Sequence, residues 1–146
     1  MTGTARPRLA EALDLQPHPE GGWFRQTFAS PETVTTTDGR TRGAATLILF
    51  ALGAGESSAW HVVASDEVWI ANVGTVTLEL GGTGEQPAPS APAERVVLGT
   101  DVGSGQLPQA LVPAGTWQRT VPADADALVS CLVSPGFDFA DFRLAG

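Results

Sequence analysis

From Trp23 onward the apolar side chains alternate with polar ones or gather in short β-branched and aromatic runs, the period-two pattern of half-buried strands. This pattern predicts strands at Trp23 to Ala29, Ala44 to Leu52, Ser58 to Val63, Glu67 to Asn72, Thr75 to Leu80, Glu94 to Leu98, Ala110 to Val112, Thr116 to Val121, Ala127 to Val133 and Phe137 to Arg143. Helical spacing occurs once. Behind Pro7, which suits a first helical turn, Leu9, Ala12 and Leu13 share one face, predicting a helix over about 7–15 that Pro17 ends. Asp38-Gly39 is a hairpin turn signal, and Gly81 to Ala93 is a low-complexity surface loop. Many short strands after one short helix predict an all-β domain, a sandwich, barrel or jelly roll, because antiparallel sheets must close or cover their edges.

Composition narrows this picture. The 146 residues suit one domain with one core, over about 1–146, and 17 glycines with 11 prolines fit a turn-rich β chain. Eight basic residues, all arginine, stand against 16 acidic ones, for a net charge of −8. Nucleic acids and anionic membrane surfaces are therefore not expected partners, since both are bound by clustered Lys and Arg. The longest uncharged apolar stretch, Gly43 to Gly55, is too short to span a bilayer and reads as a buried strand. No apolar run of secretory type opens the sequence, which points to a cytoplasmic protein. The single cysteine, Cys131, lies in Leu128-Val129-Ser130-Cys131-Leu132-Val133 and reads as a buried, inert thiol.

The chemistry-bearing stretch is Gly55-Glu56-Ser57-Ser58-Ala59-Trp60-His61-Val62-Val63-Ala64-Ser65-Asp66-Glu67. On a strand Ala59, His61 and Val63 share a face, and a turn at Ala64-Ser65 lets Glu67 and Trp69 face the same interior from the neighbouring strand. An imidazole and a carboxylate then converge. Pro113-Ala114-Gly115-Thr116-Trp117-Gln118 leads into another strand, on which Thr116, Gln118 and Thr120 alternate with Trp117 and Arg119, making Gln118 a third polar group.

The spacing of Gly55, His61, Val63, Glu67 and Gly74 resembles the first cupin motif, and Pro113 to Gln118 resembles the second. Pro17-His18-Pro19-Glu20-Gly21-Gly22-Trp23-Phe24-Arg25, Ser58-Ala59-Trp60-His61, Ser65-Asp66-Glu67, Val97-Leu98-Gly99 and Pro135-Gly136-Phe137-Asp138-Phe139 complete a resemblance to the cupin-5 (DUF985) family over nearly the whole chain. That resemblance implies a double-stranded β-helix, a homodimer and a small-molecule pocket inside the barrel. Its kinship with cupins that isomerise or epimerise nucleotide-linked sugars implies an isomerase- or epimerase-like enzyme for a small, oxygen-rich ligand.

In that reading His61 is the general base and Glu67 its catalytic partner. Ligand contacts are expected from His18, Glu20, Arg25, Trp60, Asp66, Thr116 and Gln118, with Arg25 an anchor for phosphate or carboxylate. The sequence requires no cofactor. Metal-binding cupins carry a second His in the first motif and a His in the second, where this chain has Val63 and Gln118. The alternatives are therefore a metal-dependent oxygenase, decarboxylase or lyase holding a divalent ion through His61, Glu67 and Gln118, and a non-catalytic binding module. Phe137, Phe139 and Phe142 are expected to pack a final strand and an interface.

Overall fold

Two antiparallel sheets face one another in this computed structural model, which describes residues 5–88 and 94–146. The first four residues and the 89–93 part of the expected surface loop lie outside the described residues. The strands are β1 (Gln16–Pro17), β2 (Trp23–Ala29), β3 (Thr33–Thr35), β4 (Thr41–Gly43), β5 (Thr46–Leu52), β6 (His61–Val63), β7 (Asp66–Val73), β8 (Val76–Leu80), β9 (Glu94–Leu98), β10 (Gln109–Val112), β11 (Gln118–Val121), β12 (Ala127–Ser134) and β13 (Phe142–Leu144). One sheet has the order β1-β2-β5-β12-β7-β10 and the other β13-β6-β11-β8-β9, while β3 and β4 form a separate ribbon. From β5 onward the chain passes repeatedly from one sheet to the other, the winding of a cupin jelly roll. The β3–β4 ribbon is the hairpin expected around Asp38-Gly39, with Gly39 at φ 90°.

One end of the space between the sheets is filled. Phe50, Leu52, Trp69, Leu78, Leu98 and Val129 form its buried cluster, with Cys131 at its margin. The other end stays open as a cavity. On the outside of the six-stranded sheet, Ala10 and Leu15 pack on Trp23, Ala51 and Leu128. Full burial of a side chain such as Leu15 contributes roughly 1.5–3 kcal/mol.

Three boundaries differ from the sequence expectation by more than two residues, each for a local reason. The helix α1 spans only Arg8–Ala12, because Asp14 adopts a left-handed φ of 55° and the Leu15 amide turns back to the Ala10 carbonyl at 2.8 Å. Pro17 is therefore not the stop; it already belongs to β1. The strand expected from Ser58 is present only from His61, since the Ser58 amide donates to Thr120 Oγ1 and the Ala59 amide to the Glu20 carbonyl at 2.7 Å. The run Phe137 to Arg143 is not one strand. It makes a 3₁₀ turn, Phe139–Asp141, whose start is capped by Asp138 accepting from the Ala140 amide, and only then becomes β13. Among the described residues no helix is long and apolar enough to cross a membrane.

Candidate functional site

The open end of the barrel is a cavity of about 300 Å³. Its polar floor is His18, Glu20, His61 and Glu67, and its apolar wall is Phe24, Ile48, Phe50, Val63, Trp69 and Val133. Gln26, Phe137, Asp138 and Phe139 stand at the rim. None of the lining residues is Lys or Arg.

Alternation on β6 and β7, consecutive in the chain but in opposite sheets, delivers His61, Val63, Glu67 and Trp69 to this interior, as their spacing requires. The connector Pro17–Gly22 delivers the rest. Its turn closes when the Gly21 amide donates to the His18 carbonyl at 2.9 Å, and the Ala59 amide then pins the Glu20 carbonyl beside β6. Gly21 and Gly22 have φ of 104° and 77°, and a Cβ at Gly22 would stand 2.6 Å from the Phe50 ring. Only glycine fits there.

The hydrogen bonds fix where protons sit. The Nδ1 of His61 lies 2.7 Å from the Ala59 carbonyl, which only accepts, so Nδ1 carries the hydrogen. Nε2 then offers a lone pair toward Glu20 Oε1, 3.3 Å away. The Nδ1 of His18 accepts from the Glu20 amide at 3.1 Å and also stands 3.4 Å from Glu20 Oε1. An ionised Glu20 would thus meet two lone pairs and no donor. One shared proton between Glu20 and His61 resolves the contact, and it rests on Glu20: burial, reinforced by the charge of Glu67, pushes that carboxyl well above its ordinary range. Burial also lowers His61 to about 4. His18 likewise falls to about 4, through burial and the proximity of His61.

Glu67 has different partners from those the sequence suggests. It accepts from Gln118 Nε2 at 2.8 Å and from the Cys131 thiol, both neutral groups, so burial prevails and raises it to about 7. His61 therefore pairs with Glu20, not with Glu67. Cys131 is buried as expected, and its thiol, pushed well up by burial, also borders the cavity.

The other expected contacts lie elsewhere. Arg25 is exposed on the opposite face of β2 from the cavity-lining Phe24 and Gln26. Trp60 lies outside the cavity with the Arg119 guanidinium 4.7 Å from its ring centre. Asp66 is exposed and accepts from the Ala114 amide at 2.9 Å, bracing the turn before β11. Thr116 is buried away from the lining. The set His61, Glu67 and Gln118 does not suit a metal ion, because Gln118 Oε1 accepts the Trp69 indole N–H at 2.9 Å while its Nε2 is spent on Glu67. Among the described residues no group of three or more His, Cys, Asp and Glu side chains is arranged to hold one.

Sequence reasoning missed the aromatic lining. Phe24 and Gln26 were readable as the strand parity opposite Trp23, but the folding of Phe137 and Phe139 over the rim had no period to reveal it. That rim is fastened from a distance. The Asp141 carboxylate accepts from Arg42 Nε and Nη2, both at 2.8 Å, and forms an ion pair with Arg40 Nη1 at 2.9 Å, tying the 3₁₀ turn to the β3–β4 ribbon.

The family model described as "Cupin superfamily (DUF985)" matches residues 7–145. A hypothetical protein from Leishmania major is 33% identical, with a TM-score of 0.80 over 92% of this chain and 83% of that one. A protein from Shewanella oneidensis is also 33% identical, with a TM-score of 0.79 over 93% and 81%. The capsular polysaccharide assembling protein CapF from Staphylococcus aureus, at 12% identity and a TM-score of 0.63 over 90% of this chain and 31% of its own, shares the fold. No curated protein matches. The two-sheet winding, the motif residues and a family match over nearly the full length together establish that the chain belongs to the cupin superfamily, in the cupin-5 (DUF985) family.

Proposed function

We propose that the cavity is a small-molecule site in which carboxyl groups and an imidazole move a proton on a compact carbonyl compound, an isomerase- or epimerase-like reaction. The observation that carries this reading is the meeting, in one aromatic-walled space, of Glu67 with the proton-sharing Glu20 and His61. An acid or base works best when its pKa is near the working pH. Glu67, at about 7, therefore takes the base role that the sequence suggested for His61, which at about 4 is a weak base. The Glu67 carboxylate removes a proton from the carbon beside the carbonyl, and the C–H electrons become the C=C bond of an enol. The carbonyl oxygen takes the proton shared by Glu20 and His61. Reversal returns from Glu67 to the same face a hydrogen that has exchanged with solvent, and inversion follows only when a second acid protonates the enol on its opposite face. Because no Lys or Arg lines the cavity, a phosphorylated or nucleotide-linked sugar would find no counter-charge there.

The test is hydrogen exchange in D₂O with 1-phenylpropan-2-one, a small ketone with an acidic C–H and an apolar body, followed by mass spectrometry. Deuterium uptake faster than in buffer, lost in Glu67→Gln, is the expected result. Binding of the ketone without exchange would replace this reading with a non-catalytic binding module. Neither binding nor exchange would refute both.

A second copy of the chain is the partner we propose for the outer face of the six-stranded sheet. Register aligns Phe28, Leu47, Leu132, Val68 and Leu111 in one apolar row across β2, β5, β12, β7 and β10, with Phe28 and Leu111 half exposed. The row carries no charge, so on a chain of net charge −8 it is a place where two copies can meet without repulsion.

A further inference from the structure

The cavity combines three features that select the charge of its occupant. Glu20 is nine-tenths buried, and its carboxyl faces two imidazole lone pairs without receiving a donor from either. Glu67 is held by an amide and a thiol, neither of them charged. Asp138 adds a third acidic side chain at the rim, no lining residue is Lys or Arg, and burial keeps the two lining imidazoles, His18 and His61, uncharged. The cavity is thus acidic with no internal cation. Its walls are aromatic: Phe24, Phe50, Phe137, Phe139 and Trp69 border the same space. Aromatic rings attract cations through their negative faces, most strongly where water is excluded. Glu67, buried and held only by neutral partners, gains most from a ligand that brings a positive charge, because a cation beside it favours its ionised form.

We propose that the occupant is a small organic cation, an ammonium ion carrying an apolar or aromatic substituent. The substituent fills the Phe24, Phe50 and Val133 side of the cavity, and the ammonium group lies among the rings within reach of the carboxyls. The three nearby arginines do not compete for these acids. Arg25 points to the other face of β2, and Arg40 and Arg42 are held by Asp141. This inference adds a substrate class to the proton-transfer reading above and rests on the same cavity. A cationic group near the reacting carbon would also make its C–H more acidic, which fits Glu67 as base.

The experiment is isothermal titration calorimetry of the full chain at neutral pH with four probes of one shape and different charge: benzylamine, benzyltrimethylammonium, benzyl alcohol and benzoate. At least one ammonium probe should bind ten-fold or more tightly than benzyl alcohol, and benzoate should bind most weakly. Asp138→Asn, an exposed change that leaves the interior packing alone, should reduce this advantage several-fold without altering affinity for benzyl alcohol. Glu67→Gln should reduce it further, with a melting curve to confirm that the variant is folded. Benzyl alcohol or benzoate binding as well as the ammonium probes would overturn the proposal. If that occurred while 1-phenylpropan-2-one still exchanged deuterium, only the cationic class would fall. Binding of none of the four, together with no exchange, would overturn both readings.

Discussion

Replacing Glu67 with Gln tests how the buried floor is protonated, because the carboxyl leaves a pH signature on stability that an amide cannot. In the folded chain Glu67 titrates at about 7 rather than the ordinary 4.5, through burial only partly offset by the Gln118 and Cys131 hydrogen bonds. Between these values the folded chain keeps a proton that the unfolded chain has released, so rising pH favours unfolding. The displacement corresponds to about 3 kcal/mol, absent below pH 4.5 and fully expressed above about 7. His18 and His61 act oppositely. Each titrates at about 4 rather than 6.5, so the unfolded chain binds the extra proton and stability rises with pH across that window. Glu20, raised well above its ordinary value, acts in the same direction as Glu67. The opposing pairs offset each other over much of the acid range, and stability should fall once the imidazole contribution is complete near pH 6.5. Urea unfolding at pH 5, 6, 7 and 8 measures this directly. The stability of Glu67→Gln relative to the parent should climb by about 2.5 kcal/mol from pH 5 to pH 8, since the variant lacks the penalty and only a small part of it is already present at pH 5. A difference that stays flat, or that shrinks as pH rises, would refute the assignment of a high-pKa carboxyl at this position.

Gln118→Leu keeps the volume but removes both the donor to Glu67 and the acceptor for the Trp69 indole N–H. Leaving that N–H buried and unpaired should cost about 1–3 kcal/mol in a thermal melt, and Glu67, having lost a hydrogen bond that favours its ionised form, should titrate higher by carboxyl NMR; an unchanged Glu67 titration would show that Gln118 does not tune it. Leu111→Glu places a charge at one end of the apolar row on the outer sheet. Light scattering coupled to size exclusion should find the parent as a dimer and this variant as a monomer with similar melting behaviour, and a monomeric parent would remove the second copy from that face.

The double-stranded helix was legible because its strands alternate cleanly and its motifs keep their spacing, so β7, β8, β9 and β12 lie within a residue or two of their expected ends. The convergence of His61 with Glu67 followed from parity alone. What sequence could not supply was the pairing of floor residues across distant segments. Glu20 reaches His61 only because the Ala59 amide leaves its ladder for the Glu20 carbonyl, and no period encodes that bond. Arg25 failed as an anchor for a related reason: the motif that contains it is local, but strand parity sends it outward and turns Phe24 and Gln26 inward. The rim was invisible because Asp141 sits some 100 residues from its Arg42 partner.

The departures from the metal-binding cupin pattern also account for the proton chemistry of the floor. Where a second imidazole would stand on β6 there is Val63, and where a third would stand on β11 there is Gln118, whose amide is spent between Trp69 and Glu67. An apolar group and a neutral amide leave Glu67 buried without a positive partner, and burial then carries its pKa to about 7. The same shortage of positive charge leaves the Glu20 proton in place, because His61 has committed its one hydrogen to the Ala59 carbonyl. With Val63 and Gln118 where metal-binding cupins carry imidazoles, Glu67 is a group that can gain or lose a proton at neutral pH. Val63 and Gln118 also leave an unmet demand for positive charge at the centre of an aromatic-walled cavity.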